Sequence, residues 1–379
     1  MRKVQLYHSL DDLPESYRAL FDGAHSDADF FASLAWYQNL VSNSLSKQYR
    51  LRLYGLEQDG VAQLLLPMCV RADPDASLKS GKLLAASNYY TSLFRPIHHS
   101  SSAPLRENLC ELLRFMLAER PRWSRIDFHP MALDSLEYLA LEQACRTAGM
   151  ALQRYFCFGN WYLKLNGRSY QEYFDSLPSR LKNTLQKKIR QSEKRKDLHI
   201  RLLQTTGELD LAMVDYEQVY QASWKQAEAH PLFIQGLMQT CARQGSLRLG
   251  IAYVEGQAVA AQLWIVHGQI ASIYKLAYDD RYAALSIGSI LTAHMMRHVI
   301  ETDRVSEVDY LTGDDAYKQD WMSDRRERWG LVAFNLATLS GRLAAGWHLG
   351  RSRIKAIFNA GRPIAKKVLF LTGVSGKEQ

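Results

Sequence analysis

The sequence predicts an α/β protein built from two similar lobes, and three observations predict it. Apolar runs with strand-like alternation and with helical spacing follow one another along the chain. They do so twice, in the same order. At corresponding places stand RWSRIDFHP and RVSEVDYLT, in which Arg122, Ser124, Ile126, Asp127 and Phe128 answer to Arg304, Ser306, Val308, Asp309 and Tyr310. Two copies of so long a unit are too few for a solenoid, so paired domains are expected.

The first copy opens with a helix in FFASLAWYQNLVSNSL (30–45). Two apolar runs follow around Gln58-Asp59-Gly60, a hairpin signal. KLLAASNYYTSLFRP (82–96) reads as an aromatic strand, PLRENLCELLRFMLAER (104–120) as a helix, and RWSRIDFHP as a short strand carrying Asp127. The second copy opens with helices in LAMVDYEQVYQASWKQA (211–227) and PLFIQGLMQTCARQG (231–245). It continues with a hairpin around Glu255-Gly256-Gln257, an aromatic strand in QIASIYKLAYDD (269–280) and a helix in SIGSILTAHMMRHVIETD (286–303). Residues 150–200 join the copies and contain a basic helix at 178–196. The expected division is 1–160, 161–340 and a basic helical segment at 341–379.

Composition narrows the function classes. The five cysteines are scattered, odd in number and without a CxxC pair, which argues against a disulfide framework or a zinc site and for a reducing, cytoplasmic setting. No run is apolar for long enough to span a membrane. Net charge is +8, concentrated at 180–201, with nine Lys/Arg against two acids, and at 342–379, with eight against one. Such patches suit phosphate-rich ligands, nucleic acid or anionic membrane, or form solvated helix faces.

Two stretches carry candidate chemistry. After the strand 270–278, Arg281, Ser286, Ile287, Gly288 and Ser289 lead into a helix whose first N–H groups and positive dipole end suit a pyrophosphate. Ser286 is the expected N-cap. No P-loop and no GxGxxG occurs. The second stretch is VDYLTGDDAYKQDW (308–321), a strand end offering carboxylates, a phenol and an amine. These suit general acid/base work or polar binding. Equally, Asp314 is the cap of a helix on which Trp321 simply packs. EF-hand, HExxH and GxSxG patterns are absent, so no metal is expected.

VDYLTGDDAYKQDW, with SIGSIL before its helix and YKLAYDD on the preceding strand, resembles the CelD-like acetyltransferases of the GNAT superfamily, which are associated with exopolysaccharide and cellulose biosynthesis. Asp309, Tyr310, Gly313, Asp314, Tyr317 and Lys318 match that family's Asp-aromatic-x-x-Gly-Asp-x-x-Tyr-Lys pattern. The resemblance covers roughly residues 170–335. It implies tandem GNAT lobes as in Fem-type transferases, with mixed sheets and flanking helices. It also implies acetyl-CoA as co-substrate, its pantetheine along Tyr274, Lys275 and Leu276 and its pyrophosphate at Ser286–Ser289 near Arg281. The superfamily's Arg/Gln-x-x-Gly-x-Gly/Ala loop is absent, and Gly288 stands alone.

On chemistry, Asp314 is the expected base and Tyr317 the expected acid, with Asp309, Lys318 and Trp321 toward the substrate. The expected function is transfer of an acetyl group from acetyl-CoA to an amine or hydroxyl of a sugar, polysaccharide precursor or small metabolite. A Fem-like enzyme using aminoacyl-tRNA, the basic helix contacting RNA, is the alternative. A non-catalytic GNAT-fold binder is the third. No DNA partner is expected, and the amphipathic C-terminal segment suits peripheral membrane contact or packing on the second lobe.

Overall fold

The computed structural model describes residues 1–22, 29–45, 48–72, 81–99, 105–348 and 350. Its thirteen strands form one sheet: β1 (Arg2–Tyr7), β2 (Tyr49–Gln58), β3 (Val61–Arg71), β4 (Lys82–Ala85), β5 (Ile97–His98), β6 (Arg125–Met131), β7 (Ala151–Lys164), β8 (Leu198–Leu203), β9 (Leu247–Val254), β10 (Gln257–His267), β11 (Ile270–Tyr278), β12 (Glu307–Asp309) and β13 (Asp324–Phe334). The order is β1-β2-β3-β4-β6-β13-β7-β12-β11-β10-β9-β8, with β5 beside β3.

That order reads the same from both ends. Hairpin β2–β3 turns through Asp59 (φ 53°) and Gly60 (φ 80°), and hairpin β9–β10 through Glu255 (φ 53°) and Gly256 (φ 79°). β4 runs parallel to β6 with Leu84 opposite Asp127, as β11 runs parallel to β12 with Ser272 opposite Asp309. The repeat expected from the sequence is therefore a repeat of structure. The copies also exchange their last strands: β7 pairs with β12, β13 pairs with β6, and the two meet antiparallel at the centre. Neither central strand shows in the sequence as a clean apolar alternation.

Helices cover the sheet. Helix Leu105–Ala118 buries Leu109, Leu112, Leu113 and Met116, and helix Ile287–Glu301 buries Leu291, Met295, Met296 and Val299. Apolar positions recurring every three to four residues account for both faces. The basic helix forms over Ser179–Glu193 with Leu185 as its buried anchor. Between the lobes, Trp36 meets Phe233 edge to face at 5.5 Å, and Asn39 Nδ2 donates to the Phe233 carbonyl at 3.1 Å. Beyond β13, residues 339–348 form a helix whose Ala345 packs on Val332 and Phe334. The rest of the basic segment, from 351, lies outside the described residues, and with it most of the stretch weighed for membrane contact.

Three expected elements differ. The strand expected over 82–96 ends at Ala85, because Asn88 turns the chain, accepting from Tyr90 N–H at 3.0 Å through its side chain. Asn and Asp side chains that bond the backbone two residues on favour such turns. The helix expected over 211–227 spans Leu209–Gln221; the Ser223 hydroxyl then takes the Tyr220 carbonyl at 2.7 Å and a loop begins. The helix expected after Asp314 is a short 3₁₀ turn, Ala316–Asp320, preceded by Asp315 without a side-chain cap.

Candidate active site

β11 and β12 pair only through Ile270–Ser272 and Glu307–Asp309; β12 then stops while β11 runs on to Tyr278. The edge of β11 from Ile273 onward faces a cleft. Two cavities open along it. One, of about 390 Å³, is lined by Leu276, Tyr278, Ser286, Ile287, Gly288, Ser289, Trp224, Tyr310, Tyr317 and Trp321, among others. The other, of about 260 Å³, is lined by Tyr274, Lys275, Leu276, Tyr310, Tyr317, Asp315, Lys318, Lys225, Tyr89 and Tyr90. Leu276, Tyr310 and Tyr317 belong to both, so the cavities meet there.

The larger cavity ends on the start of helix Ile287–Glu301. Ser286 occupies the N-cap with a left-handed backbone (φ 56°, ψ 36°), and its side chain makes no cap, contrary to expectation. The helix thus opens without a side-chain acceptor for its first N–H groups, which leaves a positive end toward the cavity. Gly288 sits under Tyr278, where an added Cβ would lie 3.0 Å from the ring. Lys188 of the basic helix donates to the Ala284 carbonyl at 2.6 Å, bringing that helix beside the same turn, and Leu181 lines the cavity. Arg281 instead clasps Asp279 through bonds of 2.6–3.0 Å.

The smaller cavity joins both lobes. The Tyr89-Tyr90 loop of the first lobe reaches across: Tyr90 stacks on Phe233 at 4.1 Å, and its carbonyl accepts from Tyr274 Oη at 3.1 Å. Glu228 receives Tyr90 and Tyr220 hydroxyls at 2.8 Å each and Lys275 Nζ at 2.5 Å. Burial works to raise the Glu228 carboxyl, but the Lys275 hydrogen bond and charge, helped by the tyrosines, hold it below the usual range. Lys318 is buried, its Nζ on the Thr312 carbonyl at 2.7 Å and on Asp315 at 3.0 Å. It staples the 312–318 turn while forming part of the wall.

Tyr317 stands at the junction, edge to face with Tyr310, and partial burial followed by the Asp315 charge pushes its hydroxyl up to about 12. Asp309 is 5% exposed and lies behind the cleft, receiving Asn160 Nδ2 and Arg326 Nη2 at 2.5 Å each and Leu311 N–H at 2.6 Å. It holds the strand end and lines neither of these two cavities. Trp321 is buried on the floor of the larger cavity.

Asp314 is placed otherwise than expected. It lines neither cavity; Arg325 grips it at 2.7–3.2 Å, Trp161 Nε1 donates to it at 2.9 Å, and Gly159 leaves room for the pair on β7. The Arg325 hydrogen bonds hold its carboxyl below the usual carboxylate range, the reverse of what a base requires. Trp224, Lys225, Glu228, Tyr89 and Tyr90 were not among the expected site residues. They sit on the two loops misread as helix and strand.

Residues 179–319 match the acetyltransferase (GNAT) domain family. The chain carries a GNAT-superfamily domain. Among solved structures, its fold is similar to that of FemX (TM-score 0.59, 11% identity, 88% of this chain and 97% of that one). It is also similar to the C-terminal domain of a putative lysylphosphatidylglycerol synthetase from Agrobacterium fabrum (TM-score 0.52, 14% identity, 88% and 96%). A conserved protein of unknown function from Bacteroides thetaiotaomicron gives 0.52 at 8% identity, over 88% and 100%. No curated protein matches. The architecture is thus two GNAT-like lobes, with the family match lying in the second. No helix among the described residues is long and apolar enough to cross a membrane.

Proposed function

We propose that the protein is an acyltransferase that moves an acetyl group from acetyl-CoA to an amine or hydroxyl of a sugar, a polysaccharide precursor or a small metabolite. One observation carries this reading. A cavity ending on an uncapped helix start meets a second, polar cavity at Tyr317. The larger cavity suits a donor: the N–H groups at Ile287–Ser289 would hold the pyrophosphate, and the open edge from Tyr274 to Leu276 the pantetheine amides. The smaller suits the acceptor, walled by both lobes. The thioester is already activated, so the protein's part is to orient the reactants and manage protons. Tyr317, protonated at neutral pH, returns a proton to the leaving thiolate.

Calorimetric titration with acetyl-CoA and with free CoA tests the reading; absence of binding to both rejects it. A second reading has support too. FemX shares the fold, and the basic helix Ser179–Glu193 flanks the larger cavity, which suits an aminoacyl-tRNA donor. Tight, salt-sensitive tRNA binding without CoA binding would select it. We place the protein in the cytoplasm on either reading, supported by five free thiols, with peripheral membrane contact through the basic C-terminal segment as a further proposal.

A further inference from the structure

The acceptor cavity holds three lysines, and two are committed. Lys275 is held by Glu228 and Lys318 by Asp315 and the Thr312 carbonyl. Lys225 lies on the loop between helices Leu209–Gln221 and Pro231–Arg243, and its amine donates no hydrogen bond among the described residues. Its neighbour Trp224 lines the donor cavity and rests on Tyr278, ring centroids 4.7 Å apart. The two residues thus face the two cavities from one peptide. The loop is fixed by the tyrosine and lysine bonds to Glu228. With Asp314 turned away onto Arg325, the cleft needs another group to take the acceptor's proton.

We propose that the Lys225 amine is that group, an inference that rests on the acyl-transfer reading above. As the acceptor nitrogen or oxygen bonds to the acyl carbon, its proton passes to Lys225. The carbon–sulfur bond breaks, its electron pair goes to sulfur, and sulfur takes the Tyr317 proton. Lys225 is left as ammonium and Tyr317 as phenolate, and exchange with solvent resets both. The surroundings make the free amine far more accessible than in an ordinary lysine: burial and the Lys275 and Lys318 charges push it down to about 8, against Glu228 and Asp315, so a share of it is uncharged near neutral pH. Tyr89, Tyr90, Tyr274, Tyr310 and Tyr317 complete the titratable groups around the cavity. A base whose own value lies near the working pH is the efficient choice.

Two measurements on the full chain test this. The first labels the protein with an N-hydroxysuccinimidyl ester across pH 6–11 and reads each lysine by peptide mass spectrometry. Lys225 is expected to reach half-maximal reactivity near pH 8 and to outpace Lys182 and Lys187 about tenfold or more at pH 7.5. A Lys225 that titrates with them overturns the proposal. The second follows thiol release from acetyl-CoA, with glucosamine as probe acceptor, in wild type, Lys225→Arg and Lys225→Met. Both variants are expected to lose about 10²–10⁴ in kcat with an unchanged KM for acetyl-CoA. An arginine variant that keeps its activity overturns the proposal, because guanidinium binds anions and takes up no proton; Lys225 would then be an anion clamp. A wild type that neither binds CoA nor releases thiol strikes the donor reading instead, and labelling alone then decides Lys225.

Discussion

The rings of Tyr310 and Tyr317 meet edge to face, centroids 5.9 Å apart and planes at 86°, and both line both cavities. Tyr310 is buried and anchored, so it holds Tyr317 at the one place where the two cavities join. Tyr317→Phe keeps that ring contact and removes the hydroxyl. Turnover with acetyl-CoA should fall by about 10²–10⁴ with the melting temperature unchanged, if the phenol is the acid. A phenylalanine variant of normal kcat would leave Tyr317 as wall alone.

Gly288→Glu should abolish CoA binding. Its Cβ would press the Tyr278 ring at 3.0 Å, and its carboxylate would stand at a helix start that favours anions. The Ala variant meets only the ring and should weaken binding less. Calorimetry on both checks this; a Glu variant binding CoA like the parent moves the pyrophosphate elsewhere.

One CoA per chain is expected, held by the second lobe. In the first lobe the corresponding cleft is closed by its own loop. Ser87 Oγ donates to the His129 carbonyl at 2.7 Å, and Phe94 N–H to the Pro130 carbonyl at 2.6 Å. β6 also runs on to Met131, whereas β12 stops at Asp309. A stoichiometry of two per chain would contradict this.

The repeat was legible because its evidence is local. Asp-Gly and Glu-Gly turns between apolar runs, and the Asp127 and Asp309 strands, need no tertiary information. The strand exchange was not: whether β7 pairs within its own lobe or across is decided by partners far off in sequence. Motif and chemistry single out Gly288 and Tyr317 in the sequence, and both line the cleft. Lys225 was hidden because LAMVDYEQVYQASWKQA keeps helical spacing past the point where Ser223 ends the helix, and Glu228 follows directly after that segment. Asp314 misled for a related reason. Its partner Arg325 comes eleven residues later, on a strand the sequence does not announce.

Asn160 ties the central strands to the acid strand. It is fully buried, donates to Asp309 and, at 2.8 Å, to the Leu311 carbonyl, and accepts from Arg326 at 2.6 Å. Asn160→Ala leaves a buried carboxylate and guanidinium each short of a partner. Denaturant unfolding should show a loss of about 2–4 kcal/mol. A loss below 1 kcal/mol would mean that water replaces the amide without penalty.

Asp314→Asn is expected to leave kcat within a few-fold of the parent, since the pair with Arg325 is half-exposed and lies outside both cavities. Turnover measured beside a melting curve checks the placement. A hundredfold fall in kcat at unchanged melting temperature would restore Asp314 as the base.

Lys225→Met should separate stability from activity. The amine sits near 8 in the fold against an unperturbed 10.5, so the folded chain resists a proton that the unfolded chain takes up. Between those two values the unfolded state binds more protons, and wild-type stability rises with pH. Below about 8 the penalty is complete; above 10.5 it is gone. Methionine fills the same space without a charge and carries no such penalty. At pH 7 the variant should be more stable than wild type by about 1–3 kcal/mol, after discounting for solvent screening. Its advantage should shrink through pH 8–10.5 and vanish beyond. Urea unfolding of both proteins at pH 7, 9 and 10.5 reads this directly, and a constant difference across that range would show that folding leaves the Lys225 titration unshifted.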